Sequence, residues 1–143
     1  MPSFERTVTV SRPVDEVFAY LSDFTNTEEW DAGTVRTTRV NGDGGVGTTY
    51  RNVSKFLGRE VEIDYVVQRI VPGQEFALRG ENGTTVAHDT MTFREVPGGT
   101  EVTYRGDFAF KGVFRLFAPL TVPVFKKLFD DGAEGIRNAF DGR

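Results

Sequence analysis

One long amphipathic stretch at the end of the chain constrains the fold most, because no other part of the sequence has helical periodicity long enough to cross a small domain. In residues 112–140, apolar side chains recur at steps of three and four, the pattern of a helix with one buried face. Pro119 and Pro123 predict a short helical piece, a bend near Ala118, and then the main helix. The predicted buried stripe comprises Phe117, Leu120, Val124, Leu128, Gly132, Ile136 and Phe140.

The chain before this stretch is predicted to consist mainly of strands. Residues 3–11 alternate as a strand, Pro13 begins a helix, and a second short helix runs from about residue 27 to residue 30. From Thr34 onward the period is two, with glycine-containing turns between short runs, so consecutive strands should pair antiparallel. The predicted strands are 34–41, 47–56, 59–71, 74–81, 84–96 and 100–111.

The order of elements predicts an α+β fold. A sheet with one apolar face precedes a helix with one apolar stripe, and both faces are buried if the sheet curls around the helix. A chain of 143 residues is one domain by length, so we expect a single domain over 1–143 with about seven strands.

Composition excludes several classes of function. Thirteen phenylalanines, against four tyrosines and one tryptophan, indicate a core or cavity lined by rings without hydrogen-bonding groups. The net charge is −4 and Lys and Arg form no cluster beyond pairs, which argues against nucleic acid. The absence of cysteine and the single histidine argue against disulfides, thiolate chemistry and a metal site, and we expect no cofactor. No signal peptide or membrane-length apolar run is present, so the expected compartment is the cytoplasm.

One glycine-rich segment matches a nucleotide-binding spacing. Residues 42–47, GDGGVG, fit G-x-G-x-x-G. Such a loop binds a dinucleotide only where it joins a strand to a helix, whose N-terminus then meets the pyrophosphate. Here it lies between two predicted strands. We therefore interpret it as a glycine-rich hairpin.

Asp89 is the most informative charged residue. Met91 and Phe93 alternate with polar neighbours, so the period of two places Asp89 on the inner face and His88 on the outer face. A carboxylate on an apolar face must be hydrogen-bonded, paired or close to water. Two interpretations stay open. Either Asp89 faces a functional cavity, or an inward arginine such as Arg79 neutralises it.

Inward-facing tyrosines on neighbouring strands add to this pattern. Tyr65 and Tyr104 share the inward parity of their strands, and Tyr50 lies on the strand before Tyr65. The tight turn between the last two strands predicts that Asp89 lies two residue pairs from Tyr104. Either each tyrosine hydrogen-bonds a core neighbour, or together they give an apolar pocket a few polar anchors. The predicted cavity lining is Tyr50, Tyr65, Asp89, Met91, Tyr104, Phe108, Phe117, Val124 and Leu128.

Several motifs together resemble a known family. They are VFAYLSD at 17–23, Asn26, Trp30, Val46-Gly47, Gly58, Pro72, GTEVTY at 99–104 and the terminal helix. Over essentially the whole chain they resemble the SRPBCC, or START-like, superfamily, in its bacterial polyketide cyclase/dehydrase and lipid transport branch. The resemblance implies a helix-grip fold, in which a curved antiparallel sheet wraps the C-terminal helix and two short helices follow the first strand. It also implies a cavity for a hydrophobic small molecule between helix and sheet. We interpret Trp30 as structural, filling the junction of the short helices and the sheet.

Three functions stay open. The first is binding of an apolar or aromatic small molecule, lipid- or polyketide-like. The second is a polyketide cyclase or dehydratase, in which Asp89, with Tyr65 or Tyr104, supplies the acid or base. The third is a lipid carrier that touches a membrane or a protein partner through its C-terminal helix, because cationic residues flank the apolar residues between 110 and 129. No family catalytic motif matches particular positions, so the sequence decides neither enzymatic activity nor oligomeric state.

Overall fold

A computed structural model describes residues 2–141, so the first and the last two residues of the predicted 1–143 domain lie outside the described part. The predicted boundaries of the six strands after residue 34 agree with the observed ones to within two residues. The elements in chain order are β1 (Ser3–Val10), α1 (Val14–Leu21), a 3₁₀ turn (Phe24–Asn26), α2 (Thr27–Trp30), β2 (Thr34–Asn41), β3 (Thr49–Phe56), β4 (Arg59–Val71), β5 (Glu75–Glu81), β6 (Thr85–Val96), β7 (Gly99–Phe110), a 3₁₀ segment (Gly112–Phe117) and α3 (Ala118–Asp141).

The strands form one antiparallel sheet in the order β1-β7-β6-β5-β4-β3-β2. Strands β2 to β7 follow one another as hairpins, and β1 pairs with β7 at the other edge. Register shifts near Arg36 and Asn41 in β2 and near Arg69 in β4 mark bulges, which bend a strand and increase its twist. The sheet therefore curves around α3, and the predicted helix-grip α+β fold is confirmed.

Aromatic side chains fix α3 on the concave face of the sheet. The ring of Phe125 stacks on Phe108 with centroids 4.2 Å apart and lies 5.4 Å from Phe4. One turn later, Phe129 stacks on Tyr104 at 4.6 Å. These contacts give the phenylalanine excess its structural role, because the rings of the helix interdigitate with those of β1 and β7.

The buried stripe of α3 differs from the predicted one in its first half. It comprises Thr121, Phe125, Phe129, Gly132, Ile136 and Phe140. Predicted Leu120 is instead 72% exposed, and Val124 and Leu128 are only half-buried. The physical reason is helical period: successive steps of four residues exceed 3.6, so a residue twelve positions before Gly132 is about a third of a turn out of phase. Thr121, eleven positions before Gly132, lies about three whole turns away and stays on the buried face.

Backbone-to-backbone packing joins α3 to α2. A Cβ atom built on Gly135 would lie 1.8 Å from the carbonyl oxygen of Trp30, so only glycine fits there without movement. The Trp30 side chain is 3% exposed, and its ring meets Tyr104 edge-on at 5.6 Å. Trp30 thus fills the junction of the short helices, α3 and the sheet, as predicted.

The other signature residues tie the short helices together. Asp23 accepts hydrogen bonds from the backbone N–H and the hydroxyl of Thr25, which caps the 3₁₀ turn. Asn26 donates to the carbonyl of Tyr20 at 2.8 Å. Both side chains are used in holding the chain between α1 and the sheet, so this signature identifies a fold rather than an activity.

Candidate functional site

A cavity of about 210 Å³ lies between the sheet and α3. Its wall is mostly aromatic and aliphatic, with contributions from the short helices, from β3 to β7 and from α3. The apolar lining residues are Phe24, Trp30, Phe56, Val61, Ile63, Tyr65, Phe76, Leu78, Met91, Tyr104, Phe108, Phe110, Phe125, Leu128 and Phe129. An apolar pocket with few polar groups is the usual form of a small-molecule site.

Asp89 faces this cavity from the middle of β6. Asp89 is 8% exposed, and its register partners are Leu78 on β5 and Gly106 on β7. Tyr104 pairs with Met91, two residue pairs from Asp89, which is the predicted register. The alternation also holds, because Asp89 and Met91 are buried whereas His88 pairs across the outer face with Asp107.

No arginine neutralises Asp89 within the described residues. Arg79, the candidate named from the sequence, forms an ion pair with Glu81 at 2.9 Å on the outer face. Of the two interpretations left open by the sequence, the structure places Asp89 at the cavity. One of its carboxyl oxygens, Oδ1, is buried and has no hydrogen-bond partner among residues 2–141.

The surroundings of Asp89 favour its protonated form. Burial, followed by the neighbouring charge of Asp31, raises its pKa from 3.8 to about 7, although hydrogen bonding with Tyr65 opposes the rise. Burial and the charge of Asp89 also raise the pKa of Tyr65 and Tyr104 well above 10, so both remain phenols and hydrogen-bond donors at neutral pH. The cavity thus contains a carboxyl group that titrates near neutrality beside two phenols.

A second buried polar atom without a partner belongs to a residue that lines the cavity. The Trp30 indole Nε1 is buried without a hydrogen-bond partner, and the same residue lines the cavity. Within residues 2–141, Trp30 Nε1 and Asp89 Oδ1 are the only two such side-chain atoms. Trp30 Nε1 is a hydrogen-bond donor, and Asp89 Oδ1 is an acceptor when the carboxyl group is ionised. Two unsatisfied polar atoms on residues of one cavity wall require an explanation, since almost all buried polar groups are paired.

Asp31 is a polar wall residue that sequence reasoning missed. It lies at the C-terminal end of α2, accepts from the Thr34 hydroxyl at 3.0 Å and from the Gly33 N–H at 3.3 Å, and lines the cavity. Burial raises its pKa although both hydrogen bonds oppose the rise. No sequence signal could have found it, because it lies in an irregular connection where neither helical nor strand period applies.

Asn52 is a second missed residue, and a signal for it existed. It shares the inward parity of β3 with Tyr50 and lines the cavity. Its amide donates to the Thr37 hydroxyl at 2.9 Å, and its carbonyl accepts from the Ser54 hydroxyl at 2.6 Å. Applied to β3, the alternation rule that located Asp89 would have identified this polar network. Because its members already hydrogen-bond one another, the network forms part of the cavity wall and is not free to bind a ligand.

The structure brings six of the nine predicted lining residues to the cavity: Tyr65, Asp89, Met91, Tyr104, Phe108 and Leu128. Three lie elsewhere. Tyr50 is buried beside Phe24, with ring centroids 5.5 Å apart, but is not in the lining. Val124 is out of phase with the buried stripe, where Phe125 takes its place, and Phe117 is 54% exposed in the 3₁₀ segment before α3 begins.

The glycine-rich loop 42–47 connects β2 to β3, as the hairpin interpretation requires. Gly42, Gly44 and Gly47 have positive φ angles. The Gly44 N–H donates to the Thr48 hydroxyl at 2.8 Å, so an amide that a phosphate would need is already used within the turn.

We therefore predict that this loop binds no nucleotide. Calorimetric titration with NAD(P) or FAD should give no saturable binding in the micromolar range. Saturable binding that Gly44→Val abolishes would contradict the prediction, because it would show that the loop itself holds the nucleotide.

Within residues 2–141, no group of three or more histidine, cysteine, aspartate or glutamate side chains is arranged to hold a metal ion. No helix in the same range is both long and apolar enough to cross a membrane.

Comparison with known proteins identifies the family of the chain. The model of the family described as polyketide cyclase / dehydrase and lipid transport matches residues 1–141. The chain belongs to this family. No curated protein matches the sequence.

Several solved structures share the fold of this family member over nearly its whole length. The Zhui aromatase/cyclase from Streptomyces sp. R1128 has a TM-score of 0.83 at 14% identity, covering 99% of this chain and 94% of that one. A START superfamily protein from Mycobacterium smegmatis has a TM-score of 0.73 at 16% identity, covering 99% and 95%. A protein from Thermus thermophilus has a TM-score of 0.78 at 15% identity, also covering 99% and 95%. Identities this low show the shared fold alone, and the predicted START-like resemblance is confirmed at that level.

Proposed function

We propose that this protein binds a small aromatic molecule with one polar substituent, of polyketide- or lipid-like chemistry, in the cavity between the sheet and α3. The observation that carries the proposal is a pair of buried, unpartnered atoms, Asp89 Oδ1 and Trp30 Nε1, on two residues of a mostly apolar wall. A buried polar atom without a partner costs about 1–3 kcal/mol. A ligand that hydrogen-bonds both atoms would remove that cost.

The size of the cavity supports a compact ligand. An apolar cavity of about 150 Å³ holds one benzene ring. The cavity here, at about 210 Å³, suits one ring with substituents or two fused rings. Aromatic walls favour flat ligands, because offset-stacked and edge-to-face ring contacts add to the burial of apolar area.

The two polar atoms define where the substituent of the ligand would lie. Ionised Asp89 would accept a hydrogen bond from a ligand hydroxyl, and Trp30 would donate one to a hydroxyl or carbonyl oxygen. Tyr65 and Tyr104 are further phenolic donors in the same wall. Phenols and ketones attached to fused rings satisfy this arrangement.

A direct test compares naphthalene with 2-naphthol, which have the same rings but differ by one hydroxyl. We expect 2-naphthol to bind more tightly in fluorescence titrations, by about tenfold for one or two hydrogen bonds of ordinary strength. Asp89→Asn and Trp30→Phe should reduce this preference and leave naphthalene binding nearly unchanged. Equal affinities for the two probes in the unaltered protein, or no binding of either, would contradict the proposal. Native mass spectrometry of the purified protein would then identify a natural ligand retained in the cavity.

The pKa of Asp89 near 7 favours a second candidate, a cyclase or dehydratase acting on a poly-β-ketone. A carboxylate poised near the working pH is suited to general base catalysis. Asp89 would take a proton from the carbon between two carbonyls, while Trp30 or Tyr65 would hydrogen-bond the enolate oxygen. The enolate carbon would then form a bond to the carbon of another carbonyl group further along the poly-β-ketone. The oxygen of that carbonyl would take up the proton from Asp89.

The same substitution separates the two functions. In a binding protein, Asp89→Asn should lose modest affinity and there is no turnover to lose. In a cyclase, it should abolish turnover of a poly-β-ketone thioester while substrate binding stays nearly intact. Chromatography of reaction mixtures, with product formed by the unaltered protein as the reference, distinguishes the outcomes.

A further inference from the structure

The exposed apolar residues of the chain concentrate at one place. Nine large apolar side chains are exposed among the described residues, and five of them fall between positions 113 and 120, with exposures from 43% to 78%. We call this group the apolar ridge. It comprises Val113, Phe114, Leu116, Phe117 and Leu120. Exposed apolar groups of this density normally mark a surface that contacts something else.

The ridge lies at one end of the cavity. Three of the lining residues lie where elements end or begin: Phe56 at the end of β3, Phe110 at the end of β7, and Phe125 in the first turns of α3. The ridge connects β7 to α3. The Phe125 ring lies 5.0 Å from Phe56 and 6.5 Å from Phe110. Leu57 follows Phe56 directly, is 67% exposed, and sits at the tip of its turn with a positive φ of 55°.

Charge distinguishes the segment that carries the ridge from the rest of the chain. Although the chain has a net charge of −4, residues 108–129 contain four cationic side chains and no Asp or Glu. Lys111 and Lys127 pair with Glu81 and Asp131, but Arg115 and Lys126 form no ion pair with a described residue. Lys55 and Arg59, on either side of Leu57, also form none within residues 2–141, although the exposed Glu60 is the register partner of Lys55. Four cations without an ion pair therefore lie within or close along the chain to the apolar ridge and the Leu57 turn.

We propose that the apolar ridge and the Leu57 turn dock this protein on an anionic phospholipid membrane. Apolar side chains interleaved with cations have the composition of an interfacial segment, whose apolar tips enter the lipid while the cations meet phosphate headgroups. The charge pattern decides for a membrane surface, because each of the unpaired cations gains a negatively charged partner there. Docking at this end would place the cavity against the lipid, so that an apolar ligand could pass between them without crossing water.

The experiment is vesicle co-sedimentation, with vesicles of equal parts phosphatidylglycerol and phosphatidylcholine compared with phosphatidylcholine alone. We expect binding to the mixed vesicles, weaker binding to phosphatidylcholine, and loss of binding as salt rises. Arg115→Gln/Lys126→Gln should weaken binding by about tenfold or more, and Leu116→Ser/Leu120→Ser by more than about tenfold. The control Val40→Ser/Val46→Ser removes two other exposed apolar side chains far along the chain, in β2 and the glycine loop, and should bind like the unaltered protein.

Three results would overturn the proposal: no binding to either vesicle, equal loss in the control variant, or a dimer in solution that Leu116→Ser/Leu120→Ser dissociates. The last would show that a second copy of the chain covers the ridge. Because every ridge side chain in these variants is exposed, their unfolding should match that of the unaltered protein. Binding of 2-naphthol by the ridge variants should also be unchanged, so failure of membrane docking and failure of the cavity proposal give different results.

Discussion

Replacing Gly135 with alanine is expected to destabilise the protein by more than about 3 kcal/mol, above the usual cost of overpacking a core site. The added Cβ would lie 1.8 Å from the carbonyl oxygen of Trp30 and 2.8 Å from its carbonyl carbon. Both neighbours are backbone atoms of α2, so no side-chain rotation can relieve the clash, and α2 and α3 must move apart. The midpoint of urea unfolding, followed by the fluorescence of Trp30, measures the effect, since Trp30 is the only tryptophan.

Gly132 provides a matched control one turn earlier in α3. A Cβ there would lie 3.5 Å from Tyr104 and 3.7 Å from the Trp30 ring, which are ordinary contacts. Alanine is also the better helix former by about 1 kcal/mol. Gly132→Ala should therefore leave stability unchanged or raise it slightly. Similar losses from both substitutions would show that helix propensity or general packing, and not the approach of two backbones, governs this interface.

The strands were predictable because two independent signals coincide in them. Alternation of apolar and polar residues gives each strand its face, and short glycine-containing turns fix antiparallel pairing between neighbours. Asp89 and Tyr104 illustrate the precision of the result, since counting from one tight turn gave their register on β6 and β7. The position of β1 beside β7 is a tertiary fact that the local pattern of residues 3–11 does not contain.

The sequence predicts that α3 is a helix, but not which of its faces is buried. Leu120 and Val124 fit steps of three and four as well as Thr121 and Phe125 do, and only the accumulated angle over several turns separates the two sets. The larger rings of Phe125 and Phe129 are the ones that α3 buries. Over helices of more than three turns, an angular calculation is required, because steps of four drift away from the buried face.

Apart from Leu128 on α3, the residues of the candidate site that were predictable are those whose direction depends on strand parity. Asp89, Tyr65 and Tyr104 follow from alternation, because a sheet with one buried face leaves each position only one of two directions. Asp31 and the Trp30 indole enter the cavity through the packing of α2 against α3 and the sheet. That packing joins residues about a hundred positions apart, and no local period encodes it.

Asp89 makes the stability of the protein depend on pH in a direction opposite to that of a salt-bridged carboxylate. Its pKa is about 7 in the folded protein and 3.8 as its ordinary value, so the folded state binds this proton more tightly than the unfolded state does. The cost of ionising it is absent below about pH 4, grows between about pH 4 and 7, and is constant above. Three units of pKa correspond to about 4 kcal/mol. Lys111 and Arg79 lower the pKa of Glu81 to about 2. Ionised Glu81 therefore stabilises the folded state, and this contribution is lost as the pH falls towards 2.

Asp89→Asn should remove this cost because an amide cannot ionise. We expect the variant to be more stable than the unaltered protein by up to about 4 kcal/mol near pH 8, and to differ little from it near pH 4. Urea unfolding across this range measures the difference, from which groups common to both proteins, including Glu81, cancel. Glu95→Gln is the control, since it removes a carboxylate from an exposed position of the same strand. A stability difference that does not change with pH would show that Asp89 ionises as freely in the folded protein as in the unfolded chain. Its Oδ1 atom, to which the proposed ligand would hydrogen-bond, would then be hydrated in the unliganded protein.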